Sequence, residues 1–201
     1  MKKILLIGVI LSASVIMTSC GQTSKEYEIS KQEKDDLIEQ FNEDLKRSIE
    51  ASNNKEWDVT LDMTYPKLFD YINKEEMLLM MEGSGELFSS LNIIASEIKF
   101  LSPIVNYNEI QYTRYFYDAE INMIFHNIYD FEASLESFIE VVGEDNIRYD
   151  ENTLLIQINK EMSSLAILQK NSSEWKYLEW KDDLFQQLDI IPDSIIEELK
   201  Q

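Results

Sequence analysis

The chain has 201 residues and carries 38 acidic side chains against 18 lysines and arginines, for a net charge of −20. Such a surface repels nucleic-acid phosphates and anionic headgroups, which excludes nucleic-acid binding and attachment through a basic patch. One cysteine excludes an intrachain disulfide framework, and five glycines leave little room for a phosphate-cradling loop.

Lys2 and Lys3 open the chain, and residues 4–17 are apolar or small with no charge. This run is shorter than the roughly 20 apolar residues of a membrane-spanning helix and suits the apolar part of a secretory signal. Met17-Thr18-Ser19-Cys20-Gly21 then resembles a bacterial lipobox. The resemblance implies cleavage before Cys20 and a lipid on that cysteine, so that the membrane is reached through the lipid. Gly21 stands where an inner-membrane lipoprotein carries Asp, which by the same analogy implies the outer membrane of the cell envelope. Cleavage removes Lys2 and Lys3 and no acid, moving the net charge from −20 to −22. The expected organisation is a signal over 1–19, a polar tether over 20–30 and one domain over 31–201, long enough for an ordinary core.

Ser30 and Glu33 have the spacing of a capping box. Leu37, Phe41, Leu45 and Ile49 recur every four residues after it, which predicts an amphipathic helix to about Asn53. Asn54 can start a second, short helix holding Trp57, Val59, Leu61 and Met63. Pro66 suits the first turn of a third, with Leu68, Phe69 and Ile72. Asn73 and Glu76 repeat the cap spacing for a fourth, with Met77, Leu78 and Met81, loosened at Gly83 and Gly85.

The period then changes. Residues 93–101 read as a strand that Pro103 closes, and 109–127 alternate. Tyr115, Tyr117, Ala119, Ile121, Met123 and Phe125 fall on one face of that strand. Arg114, Asp118, Glu120, Asn122 and His126 fall on the other. Residues 130–142 return to helical spacing and stop at Gly143. Residues 153–158 and 164–169 read as strands, 171–173 as a turn, 175–180 as the return strand, and Pro192 opens a last short helix.

Helices followed by a mostly antiparallel sheet predict an α+β fold. "NKEWDVTLDMTYPKLFDYINKEEMLLMME" (54–82) resembles the start of nuclear transport factor 2-like, or cystatin-like, domains in secreted proteins of Bacteroidetes-type bacteria. The run from Met63 to Phe69 carries the likeness. "SSEWKYLE" (172–179) and "IIPDSIIEEL" (190–199) are similar to the closing strand and tail helix of such domains. The resemblance implies a curved sheet wrapped round the N-terminal helix as a cone, with room for a cavity. It does not fix a function, because this fold hosts binding modules as well as isomerases and hydrolases.

The residues point more to binding than to chemistry. His126 is the lone histidine, and a neighbour four positions away on a strand is about 13 Å distant, so it forms no compact dyad with Asn122. Glu132, Glu136 and Glu140 make an acidic stripe that reads foremost as a solvated helix face. No metal-ligand motif and no cofactor motif occurs. The aromatic residues are the better signal. Tyr65, Tyr115, Tyr117, Met123, Trp175 and Tyr177 are either core or the lining of an apolar cavity whose hydroxyls orient a ligand. Arg114, Asp118, Glu120, Asn122 and His126 are outer-face residues that suit a homodimer or an envelope protein partner. The reading is a non-catalytic binding module for a small apolar ligand or an envelope protein. The rival is a cavity enzyme, favoured by a buried group with a strongly shifted pKa in an open pocket.

Overall fold

The structure is a computed structural model and describes residues 25–27, 29–181, 185 and 188–200. Cys20 and the signal sequence lie outside the described residues.

A capping box opens helix α1, Lys31–Asn53. The Glu33 N–H donates to Ser30 Oγ at 3.2 Å, and the Ser30 N–H donates to Glu33 Oε2 at 2.7 Å. Lys55 has a φ of 60° and separates α1 from α2, Trp57–Met63. Pro66 starts a 3-10 turn over Pro66–Asp70. Asn73 caps α3, Lys74–Gly85, by accepting from the Glu75 N–H at 2.8 Å.

The strands are β1 Lys25–Tyr27, β2 Phe88–Ala95, β3 Phe100–Leu101, β4 Ile104–Tyr107, β5 Ile110–Phe125, β6 Ile147–Asp150, β7 Leu155–Leu168 and β8 Lys176–Glu179. Helix α4, Ile128–Val142, crosses between β5 and β6, and α5, Asp193–Leu199, is the last helix among the described residues. Among the described residues these strands form one curved, unclosed sheet in the order β1-β4-β5-β7-β6. Strands β2 and β3 also pair with β5, and β8 pairs with β7. Every strand pairing is antiparallel, so the fold is α+β with a curved antiparallel sheet. The spine is β5 against β7, in register from Gln111 opposite Leu168 to Ile124 opposite Leu155.

Alternation along β5 divides the core. Tyr115 faces Phe41 and Leu45 of α1, together with Ala166 and Trp175. Met123 and Phe125, further along the same face, meet Phe131 of α4, Ile156 and Ile158. Tyr112 points the other way, into a cluster with Val105, Ile167 and the α5 residues Ile195, Ile196 and Leu199. Full burial of one such large apolar side chain contributes roughly 1.5–3 kcal/mol, so all three clusters hold the sheet to its helices.

The structure differs from the sequence expectation in four places. Lys25–Tyr27 lies in the stretch read as a tether, yet its backbone pairs with Ile104–Asn106. Residues 93–101, expected as one strand, are the end of β2 and the separate β3, with 96–99 in neither strand, and an unexpected strand, β4, follows Pro103; it turns back through Asn108 and Glu109, both at positive φ, without any glycine. Strand β7 is continuous through the polar Asn159-Lys160-Glu161, because pairing with Ala119, Glu120 and Asp118 carries it across. Strand β6 is too short for its alternation to register in the sequence.

Candidate functional site

The α1 stripe buries Phe41 and Leu45 against the sheet, and the same arc of the helix carries Asp44 and Ser48. On the sheet, Tyr115 lies opposite Ser164, and Ser164 lies opposite Glu179. Tyr177, two residues before Glu179 on β8, shares that face. Helices α2 and α3 close over this region with Leu61, Met63, Met77 and Met81. Together these elements line a half-open cavity of about 420 Å³. Four methionines line it, Met63, Met77, Met81 and Met162, and flexible thioethers let such a wall adapt to irregular shapes.

The polar pole is built from hydroxyls and one carboxylate. The Tyr177 hydroxyl donates to Asp44 Oδ2. The Ser164 hydroxyl stands by both Tyr115 and Tyr117 and favours their ionised forms against burial. Ring centroids of Tyr115 lie 6.0 Å from Tyr117 and 6.2 Å from Tyr177. Burial, then the hydrogen bond and charge of Asp44, pushes the Tyr177 hydroxyl far above its ordinary pKa. Burial, then neighbouring Tyr117, does the same for Tyr115. Burial likewise raises Tyr117, opposed by Ser164. These shifts lead away from neutral pH, so the phenols are held protonated.

The sequence-selected residues separate into distinct places. Tyr115, Tyr117 and Tyr177 meet in the cavity. Tyr65 is buried beside Leu68 in the cluster that α5 covers. Met123 is core under α4. Trp175 packs edge-on to Phe41 with centroids 5.1 Å apart, behind the cavity wall. On the outer face, Arg114 lies between two rings, 4.4 Å from Phe116 and 4.2 Å from Trp180, and it donates to Ser163 Oγ at 2.9 Å. Asp118 is exposed and ion-paired with Lys99, and Asn122 donates to Glu120 Oε1 at 2.7 Å. His126 sits in a bend just past β5, exposed, apart from the other four.

Asp44 is the site residue that sequence reasoning missed. It comes from the helix opposite the alternating strand. Its signal was its place three residues after Phe41 and directly before Leu45, within the buried arc. The Glu132, Glu136 and Glu140 stripe is exposed on α4. No group of three or more His, Cys, Asp and Glu is placed to hold a metal ion among the described residues, and no helix among them is long and apolar enough to cross a membrane. Comparison of the chain with protein families, with curated proteins and with solved structures returns no match.

Proposed function

We propose that this is an exported, lipid-anchored binding protein that holds a small apolar ligand between α1–α3 and the sheet. The observation that carries the reading is the cavity of about 420 Å³, walled by methionines and leucines with a few convergent hydroxyls. Ligand sites have this make-up and run to roughly 300–1,000 Å³. The lipobox-like run at Cys20 supports anchoring in the envelope, at the outer membrane by analogy. The likeness of residues 54–82 to nuclear transport factor 2-like domains agrees with a curved sheet over a long helix.

The rival, a cavity enzyme, draws on the strongly shifted tyrosines. A general acid or base works best with a pKa near the operating pH. Tyr115 and Tyr177 are moved away from it, which favours binding over proton transfer.

Two experiments test the two halves. The uncharged fluorophore N-phenyl-1-naphthylamine should bind saturably, one per chain, and Met77→Trp should fill the cavity and lower its affinity at least about tenfold, the loss of one well-buried contact set. A linear response that Met77→Trp leaves unchanged would sink the cavity reading. Labelled palmitate fed to cells should enter the wild-type chain and not Cys20→Ala; equal labelling would sink the anchor.

A further inference from the structure

The apolar lining leaves the ligand's head group unassigned. Three charged side chains line the cavity among the described residues: Asp44, Glu179 and Lys181. Lys181 Nζ lies 3.4 Å from Glu179 Oε2 with both side chains about half exposed, so this pair satisfies itself at the rim. Asp44 differs. It is half-buried, and its donor among the described residues is the Tyr177 hydroxyl on Oδ2. No ion pair reaches it there. Arg47, one turn on, shares a surface cleft with it but does not pair with it, and Lys176 in that cleft donates to the Asp62 carbonyl and to Glu174.

A carboxylate accepts about four hydrogen bonds, and a partly desolvated charge is costly until it is paired. Asp44 therefore borders the cavity with one oxygen, Oδ1, that no hydrogen bond among the described residues occupies. Beside it stand the rings of Tyr115 and Tyr177, whose π-faces attract cations. An anionic head, such as a fatty-acid carboxylate, would meet Asp44 with the cavity's lysine already held by Glu179.

We propose that the cavity takes an amphiphile whose head is a protonated amine, with the ammonium donating to Asp44 Oδ1 beside the tyrosine rings and the tail lying among the methionines. This rests on the cavity reading above. The test titrates the purified chain, by calorimetry, with three probes of equal tail: dodecylamine, 1-dodecanol and dodecanoate. Dodecylamine should bind at least about tenfold more tightly than the other two, the factor a charge-assisted hydrogen bond supplies. Asp44→Asn should abolish that preference while dodecanol binding stays within about threefold; Asp44→Ser serves if the first variant does not fold. Glu179→Gln should leave the preference in place.

Equal binding of all three probes would keep the cavity and overturn the ammonium assignment, as would a preference for dodecanoate. A preference for dodecylamine that survives Asp44→Asn would place it on the acidic surface and overturn the assignment too. Binding of none would overturn the cavity reading and this inference together.

Discussion

The side-chain amide of Asn53 hydrogen-bonds both backbone groups of Ile93. Its Nδ2 donates to the Ile93 carbonyl at 3.0 Å, and its Oδ1 accepts from the Ile93 N–H at 2.7 Å. One amide at the end of α1 thus occupies the side of β2 that faces away from β5. Edge strands with unpaired backbone groups invite pairing with other chains, and such a cap blocks it. Asn53→Leu should cost about 2 kcal/mol, two hydrogen bonds at about 1 kcal/mol each, and should promote self-association. Urea unfolding and light scattering check this; an unchanged midpoint with a monodisperse monomer would refute the role.

The tyrosines give a pH dependence. Tyr65, Tyr112, Tyr115, Tyr117 and Tyr177 all have raised pKa values, with burial the leading cause in each. A raised value means that the folded chain keeps protons the unfolded chain has released. The contribution is fully present below the unfolded value near 10 and is lost as pH climbs above it. Stability should therefore be level from neutral pH to about 9.5 and fall steeply beyond 10. Absorbance at the phenolate band should show these five of the ten tyrosines ionising only as the chain unfolds.

Two glycines of α3 should respond oppositely to alanine. Nothing lies within 4 Å of a Cβ built on Gly83, whereas a Cβ on Gly85 meets Trp57 Cζ2 at 3.2 Å. Gly83→Ala should stabilise by about 0.5–1 kcal/mol through helix propensity. At Gly85 the same gain is offset by crowding against the buried Trp57 indole. Thermal unfolding of both variants decides it; an equal rise in Tm would mean that Trp57 moves freely.

Arg114 is held by shape as well as charge. Its guanidinium lies against Phe116 and Trp180 and donates to Ser163 through two nitrogens. Lysine keeps the charge and loses the planar stack. Arg114→Lys should cost about 1 kcal/mol and shift the Trp180 fluorescence. A silent spectrum with unchanged stability would show the stack to be incidental.

Local signals carried much of the fold. The Ser30–Glu33 spacing and the four-residue stripe of α1 are each complete within a few turns, and the structure forms them as read. The alternation of β5 was long enough to outweigh noise. Strand β4 escaped for want of a local marker: Val105 meets Tyr112 across a two-residue turn of Asn108 and Glu109, whose positive φ values no glycine announces. The site was half legible because its parts lie far apart in the chain. Alternation put Tyr115 and Tyr117 on one face, but only the closed fold brings a helix carboxylate to them. Trp175 and Met123 share the composition of cavity-lining residues and differ from them only in what packs opposite.

The contacts of α1 set an order on how the molecule comes into being. Phe41 rests edge-on against Trp175 and Tyr177, and Asp44 receives its hydrogen bond from Tyr177, 133 positions later in the chain. The first helix can form early from its own caps and stripe. Its apolar face then meets Tyr115 of β5, but its flank toward Trp175 and Tyr177 has no cover until those residues have been synthesised, so the 133-position loop between Asp44 and Tyr177 must close before the core is dry. Closures of this span slow folding and leave hydrophobic surface open to misassembly in the meantime. The first helix is thus among the last elements to be fully buried, and whatever guards the nascent protein must guard that face longest.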